Sequence, residues 1–177
     1  MKGKAEQGFT LIELLIVVAI ISIIAAIAVP GLLRARMTGN ETSAIASLKV
    51  TTSSQVAYSA SCGQGGYAAS YAVLGTPPAG TTEAFISQDL GDPNNQPPQK
   101  SGYNFLLTQD QGSQAGPNDC NGTATITAWY ASGMPQTFGT TGTRSFAVNA
   151  GNTIWQNNTA NAPQSPFATA NGDTPIQ

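Results

Sequence analysis

Between Phe9 and Val29 the chain reads FTLIELLIVVAIISIIAAIAV, an apolar run whose polar side chains are Thr10, Glu13 and Ser22. At about 1.5 Å per residue this run is about 31 Å long as a helix, enough for a hydrocarbon core of about 30 Å. It constrains the fold before anything else does, because a helix that is apolar on every side needs a bilayer or other apolar surfaces around it. Glu13 is the awkward residue. A carboxylate at the centre of a membrane helix costs about 2.5 to 3.5 kcal/mol on insertion scales, so a charge in such a run is usually paired or functional. Glu13 lies one turn in, and two readings follow: a carboxylate solvated at the headgroup boundary, or one that awaits a cation. Cleavage between Gly8 and Phe9 would supply that cation, since it exposes an α-amino group one helical turn from Glu13.

A secretory signal peptide is the competing explanation of the run, with Ala26, Ile27 and Ala28 as an A-x-A cleavage pattern. Two features weigh against it: the run exceeds the usual h-region of about 7 to 15 residues, and a glutamate inside that region is unusual. Charge alone leaves the orientation open, because Lys2 and Lys4 precede the run while Arg34 and Arg36 follow it.

Gly8 followed by FTLIELLIVVAIISIIAAIAVP is similar to the N-terminus of type IV pilins and pseudopilins, and the similarity covers residues 8 to 36. The resemblance implies a leader, residues 1–8, removed by a prepilin peptidase that cuts after Gly8, and Phe9 as the N-methylated first residue. It implies that Glu13 guides assembly by pairing with the Phe9 amine of an adjacent subunit. Pro30 stands where the family commonly has a helix-kinking proline, and Ser22 where many members have glycine. The N-terminus is placed in the cytoplasm on the same ground. The implied fold is α+β, a long bent N-terminal helix packed on a small antiparallel β-sheet head.

Composition fits an exported head on such an anchor. The chain has seven Lys plus Arg against nine Asp plus Glu; without Lys2, Lys4 and Glu6 the balance is five against eight. No basic patch favours nucleic acid or anionic lipid. Residues 9–30 are read as the transmembrane or filament-core helix, 31–60 as its amphipathic half, and 61–177 as one globular head with a polar tail. The two cysteines, Cys62 and Cys120, are expected to form a disulfide in an exported chain. Without any histidine they make neither an ordinary four-ligand zinc site nor a Cys-His nucleophile. The pairing differs from that of the many type IV pilins whose disulfide brackets a C-terminal segment, so their receptor-binding loop is not carried over.

Ile45, Leu48, Thr52 and Val56 recur at helical spacing, as a stripe facing a sheet would, which leaves Glu41, Lys49 and Gln55 to face outward. Gly39 and Asn40 are poor helix residues and mark a local loosening. One bent helix is expected from Phe9 to near Ala60, with the kink at Pro30. The stretch from Cys62 to Gln99 is broken by Gly65, Gly66, Pro77, Pro78, Pro97 and Pro98, with short elements around Tyr67–Leu74 and Glu83–Asp89. Strand signals lie at Ser101–Gln109 and Thr123–Ala131, and Arg144–Asn149 followed by Asn152–Gln156 reads as a hairpin across Ala150 and Gly151. About four antiparallel strands follow from these signals. The tail after Gln156, punctuated by Pro163, Pro166 and Pro175, either wraps the head or stays disordered.

The absence of histidine, of a glycine-rich phosphate loop and of closely spaced carboxylates gives no support to an enzyme. No cofactor or metal is expected. Asp89, Asp92, Asp110 and Asp119 lack the compact run of oxygen ligands of a calcium loop and read as solvated loop residues. Asn40, Asn121 and Asn157 begin N-x-[ST] triplets, which arise easily in so Asn- and Thr-rich a chain, and glycosylation is not expected. Tyr58, Tyr67, Tyr71, Tyr103, Phe105, Trp129, Tyr130 and Trp155 read as core and sheet packing. The resemblance therefore implies a structural pilin, stored singly spanning the inner membrane, processed by the prepilin peptidase and methylase, and polymerised with its own copies by pilus or secretion machinery into a surface or periplasmic filament. Adhesion and motility are the roles such filaments serve. Two alternatives stay open: a type II secretion pseudopilin, and a membrane-anchored binding module that never polymerises.

Overall fold

The computed structural model describes residues 9–176, so Gly8 and the rest of the expected leader lie outside the described residues. The chain divides into two units between Arg36 and Met37. Helix α1, Leu11–Ser61, contributes its first part to one and its remainder to the other.

In the first unit α1 is exposed along its length: from Phe9 to Arg36 every side chain except Ala25 is open to the surroundings. It is long and apolar enough to cross a membrane. Contiguous apolar surface of this kind marks a membrane or protein contact. Pro30 sits inside the helix, and Gly39 and Asn40 are helical as well. The expected loosening at Gly39 and Asn40 is not seen. Asn40 instead anchors the helix, its Nδ2 donating to the Thr141 carbonyl at 2.9 Å.

The second unit is an α+β head. Short helices α2 (Tyr71–Leu74) and α3 (Gln88–Gly91) precede the strands β1 (Gln99–Lys100), β2 (Tyr103–Gln109), β3 (Ala115–Asn118), β4 (Ala124–Ile126), β5 (Trp129–Pro135), β6 (Ser145–Asn149), β7 (Trp155–Asn157) and β8 (Thr174–Pro175). The main sheet has six strands in the order β1-β2-β5-β6-β7-β8, every neighbouring pair antiparallel. β3 and β4 form a separate two-stranded sheet. The expectation of about four strands is thus low. The expected strand Thr123–Ala131 is two strands on two sheets, separated at Thr127 and Ala128. A hairpin is present as β6 and β7, with Phe146 opposite Gln156, but β7 starts only at Trp155, so residues 150–154 connect the strands where Ala150 and Gly151 alone were expected to.

Side chains alternate across the pleat, so each strand presents two faces. On one face Tyr103, Phe105 and Leu107 of β2, Trp129 and Ala131 of β5, and Phe146 and Val148 of β6 pack with Ala44, Leu48 and Tyr58 of α1. Gly133 lies in register between Phe105 and Phe146, and its missing side chain leaves room for the Phe105 ring. On the other face Tyr130 and Ala147 meet Ala162, Met134 and Phe167. The tail therefore covers the outer face of the sheet, and β8 adds its last strand beside β7.

The inward stripe of α1 is Glu41, Ala44, Ser47, Leu48, Thr51, Ser54, Gln55 and Tyr58. Glu41 and Gln55 thus face inward, against the outward placement expected, and Val56 faces outward at 53% exposure. The reason is hydrogen bonding, since a buried polar group with partners is tolerated where one without them costs about 1–3 kcal/mol. Gln55 donates from Nε2 to the Ala68 carbonyl at 2.8 Å and accepts the Ala68 N–H at 2.9 Å. Ser54 donates to the Phe85 carbonyl at 2.7 Å. The Thr51 hydroxyl donates to Ser47 and receives the Tyr71 hydroxyl at 3.0 Å. Glu41 accepts the Thr143 N–H and the Arg144 guanidinium.

Cys62, just past the end of α1, is disulfide-bonded to Cys120 with 4.9 Å between Cα atoms. Asp119 beside it is buried, not solvated as its loop composition implied. Its Oδ2 accepts the Tyr58 hydroxyl at 2.7 Å, and its Oδ1 accepts the N–H groups of Asn121 and Thr123 at 2.9 and 2.7 Å. Burial first, and then the Asp119 carboxylate, push the Tyr58 phenol well above its ordinary range.

Candidate functional site

The N-terminal site begins at Phe9, which is 90% exposed. Thr10 is the residue before the helix, and Glu13 is in its first turn. The Thr10 N–H donates to Glu13 Oε2 at 2.9 Å, the Thr10 hydroxyl donates to the same oxygen at 2.6 Å, and the Glu13 N–H returns to the Thr10 hydroxyl at 3.3 Å. This is a capping box: a Thr and a Glu three residues apart satisfy donors that the first turn of a helix otherwise leaves open. The T-x-x-E spacing was visible in the sequence and signals this arrangement, which a search for a cationic partner alone passes over.

The two oxygens of Glu13 differ in their surroundings. Its Oε2 closes the helix end, while Oε1 has no hydrogen bond among the described residues. Ser22 is satisfied within the helix too, its hydroxyl donating to the Val18 carbonyl at 2.7 Å. Every polar side chain of the apolar run thus finds a partner inside the run. Apart from Glu13 Oε1, the run suits a medium without water, where an unsatisfied polar group costs several kcal/mol.

The other sequence candidates are dispersed. Asp89 pairs with Lys100 and Ser87, Asp92 accepts the Asn94 N–H at 2.8 Å, and Asp110 accepts Asn149 at 3.2 Å. Lys100 first, and Ser87 second, hold the Asp89 carboxyl below its usual range. Among the described residues no group of three or more His, Cys, Asp or Glu gathers as a metal site. Asn121 uses its amide on Pro77 and Ala79, and Asn157 donates to Asp173 at 3.3 Å. Tyr130, Phe167 and Trp155 stack in sequence on the outer face of the sheet, with ring centroids 6.2 and 5.5 Å apart. Burial pushes the Tyr130 phenol up to about 12.

An exposed apolar helix with a capped carboxylate, continuing into the helix that backs an antiparallel sheet, defines an α+β protein of pilin-like architecture. The family described as the prokaryotic N-terminal methylation motif matches residues 3–29. The chain is also 59% identical over 39 residues to the type IV wide pilus major component PilA4 of Thermus thermophilus. That stretch covers 22% of this chain and 30% of the relative. No solved structure matches the chain significantly. The methylation motif and the PilA4 match together support the type IV pilin family, a family of structural proteins and not a known class of enzyme.

Proposed function

We propose that this chain is a pilin, a structural subunit of a type IV pilus-like filament. It is cut between Gly8 and Phe9 by a prepilin peptidase, methylated on Phe9, held in the inner membrane by residues 9–30 and polymerised through the same helix. The observation that carries the reading is the exposed apolar helix whose carboxylate sits one turn from the cleavage motif. In the membrane, hydrocarbon covers the helix; in the filament, the helices of other subunits do. Glu13 Oε1 is the oxygen left for the Phe9 amine of a neighbour. Pro30, inside the helix, removes one backbone hydrogen bond and allows a bend there. Repeated heterologous contacts of this kind generate an open helical polymer.

Mass spectrometry of subunits from sheared surface filaments tests the processing: the mature chain is expected to start at methylated Phe9. An assembled chain that retains residues 1–8 would remove the prepilin reading. Glu13→Ala tests the pairing separately, with filament yield as the readout; normal filaments from that variant would sink the role given to Glu13.

A further inference from the structure

Three basic side chains follow Met37 in the head: Lys49, Lys100 and Arg144. Lys100 pairs with Asp89 and Arg144 with Glu41. The acidic residues of the head are accounted for in the same way. Glu41 is held by Arg144 and Thr143, Asp89 by Lys100, Asp92 by Asn94, Asp110 by Asn149, Asp119 by Tyr58 and Asp173 by Asn157. Among the described residues this leaves one head cation, Lys49, and one head carboxylate, Glu83, whose side chains have no partner. Both are exposed.

The two lie on opposite flanks of one ridge. Lys49 lines a cleft of about 400 Å³ with Thr52, Ser53 and the 152–154 turn. Glu83 lines another, of about 450 Å³, with Val50, Phe85 and Ile86. Between them runs the outward side of α1, where Val50 and Val56 are 48% and 53% exposed and Ala46, Ser53 and Ala57 are small and open. At about 100° per residue, Lys49 and Val50 point to adjacent sides of the helix. The surface is complementary to itself by charge, and the complementary charges sit on different flanks. Such a pair of charges can meet twice in a closed two-fold dimer or once per step in a head-to-tail array, and the filament proposed above selects the head-to-tail array.

We propose that the Lys49 flank of α1 in one subunit docks against the Glu83 flank of the next, with the apolar ridge residues packed between them. The occupant of each cleft is a second copy of this chain. The inference rests on the polymerisation proposed above and adds to it a named contact between heads. Burial of the two charges against each other fixes register, because a like charge in either position repels while a matched pair guides approach.

The test has two arms on the full-length, processed chain. In the first, filaments carrying Lys49→Cys and Glu83→Cys together are treated with a short bifunctional thiol reagent. A ladder of covalent dimers and higher multimers is expected, absent with either substitution alone. In the second, Lys49→Glu and Glu83→Lys are each expected to lower filament yield about tenfold, and the double reversal to restore it. Filaments that form without a ladder, or single reversals that leave the yield unchanged, would overturn the contact. Failure of the unsubstituted chain to form filaments would instead overturn the polymerisation beneath it, so the two failures are told apart by the parent strain.

Discussion

Arg144 grips Glu41 across 103 positions of sequence, its Nε and Nη2 both donating to Oε2 at 2.9 and 2.7 Å. The remaining oxygen of Glu41 takes the N–H and the hydroxyl of Thr143 at 2.8 and 3.0 Å. Arg144 also donates to Gln156 at 2.8 Å and lies 5.5 Å from the centre of the Phe146 ring. The first turns of α1 in the head are thereby tied to β6 and β7 at one point.

Arg144→Met is expected to destabilise the head by about 1–3 kcal/mol, the cost of leaving a buried polar group without its partner. The upper range for fully buried pairs does not apply, because the arginine side chain remains 34% exposed. Urea unfolding of the full chain in detergent, followed by tryptophan fluorescence, measures it. Glu41→Gln combined with Arg144→Met should be milder than the sum of the two single changes.

The same pair sets an acid limit. Burial pushes the Glu41 carboxyl up, but Thr143 and Arg144 together outweigh burial and hold it below its ordinary range. A carboxylate with a lowered folded-state pKa contributes stability above the unfolded value, about 4.3, and loses that contribution as pH falls through the folded value. Melting temperature is therefore expected to drop as pH falls below about 4.3, and Glu41→Gln should flatten that part of the profile. An equally steep acid limb in the variant would assign it to other carboxylates.

Cys62→Ser with Cys120→Ser is expected to cost about 4 kcal/mol in the chain-entropy account of a loop of 58 residues. The midpoint of urea unfolding, compared with and without reductant on the parent chain, gives the same quantity by a second route.

Tyr58→Phe removes the donor to Asp119 Oδ2 while keeping the ring that meets Phe85 at 5.3 Å. About 1–2 kcal/mol of destabilisation is expected, from a buried carboxylate oxygen left without a partner. Loss within a few tenths of a kcal/mol would mean that water replaces the hydroxyl.

Gly75→Ala should be worse. A Cβ built on Gly75 overlaps the backbone of Gly91, so α2 and α3 cannot keep their approach. Overpacking against backbone costs about 1–3 kcal/mol or more, and the expected readout is a lower melting temperature with no change in N-terminal processing.

The features legible in the sequence are those made by residues close together along it. The apolar run, the pairing of β6 with β7 and the short elements after Cys62 are local patterns, and the structure contains them. Periodicity misplaced Glu41, Gln55 and Val56 because it counts apolar residues, while the face of α1 is decided by partners at Thr143, Arg144 and Ala68 that lie elsewhere in the chain. The split at Thr127 and Ala128 leaves a continuous β-branched and aromatic signal across two sheets. β8 spans Thr174–Pro175, too short for any alternation to show, and its place is set by β7. At the N-terminal site Glu13 stood out by its charge, but Thr10 did not, since a threonine at the edge of an apolar run has nothing unusual about it until its carboxylate partner is in view.

The polar stripe of α1 also has a mechanical meaning. The bonds from Thr51, Ser54, Gln55 and Tyr58 reach sideways to Tyr71, Phe85, Ala68 and Asp119, across the direction of the helix. A pull along this part of α1 loads them together, in shear, so they must yield as a set. A purely apolar face could slide by a turn under the same tension; this stretch of helix is indexed to α2 and to the loops that carry Ala68, Phe85 and Asp119.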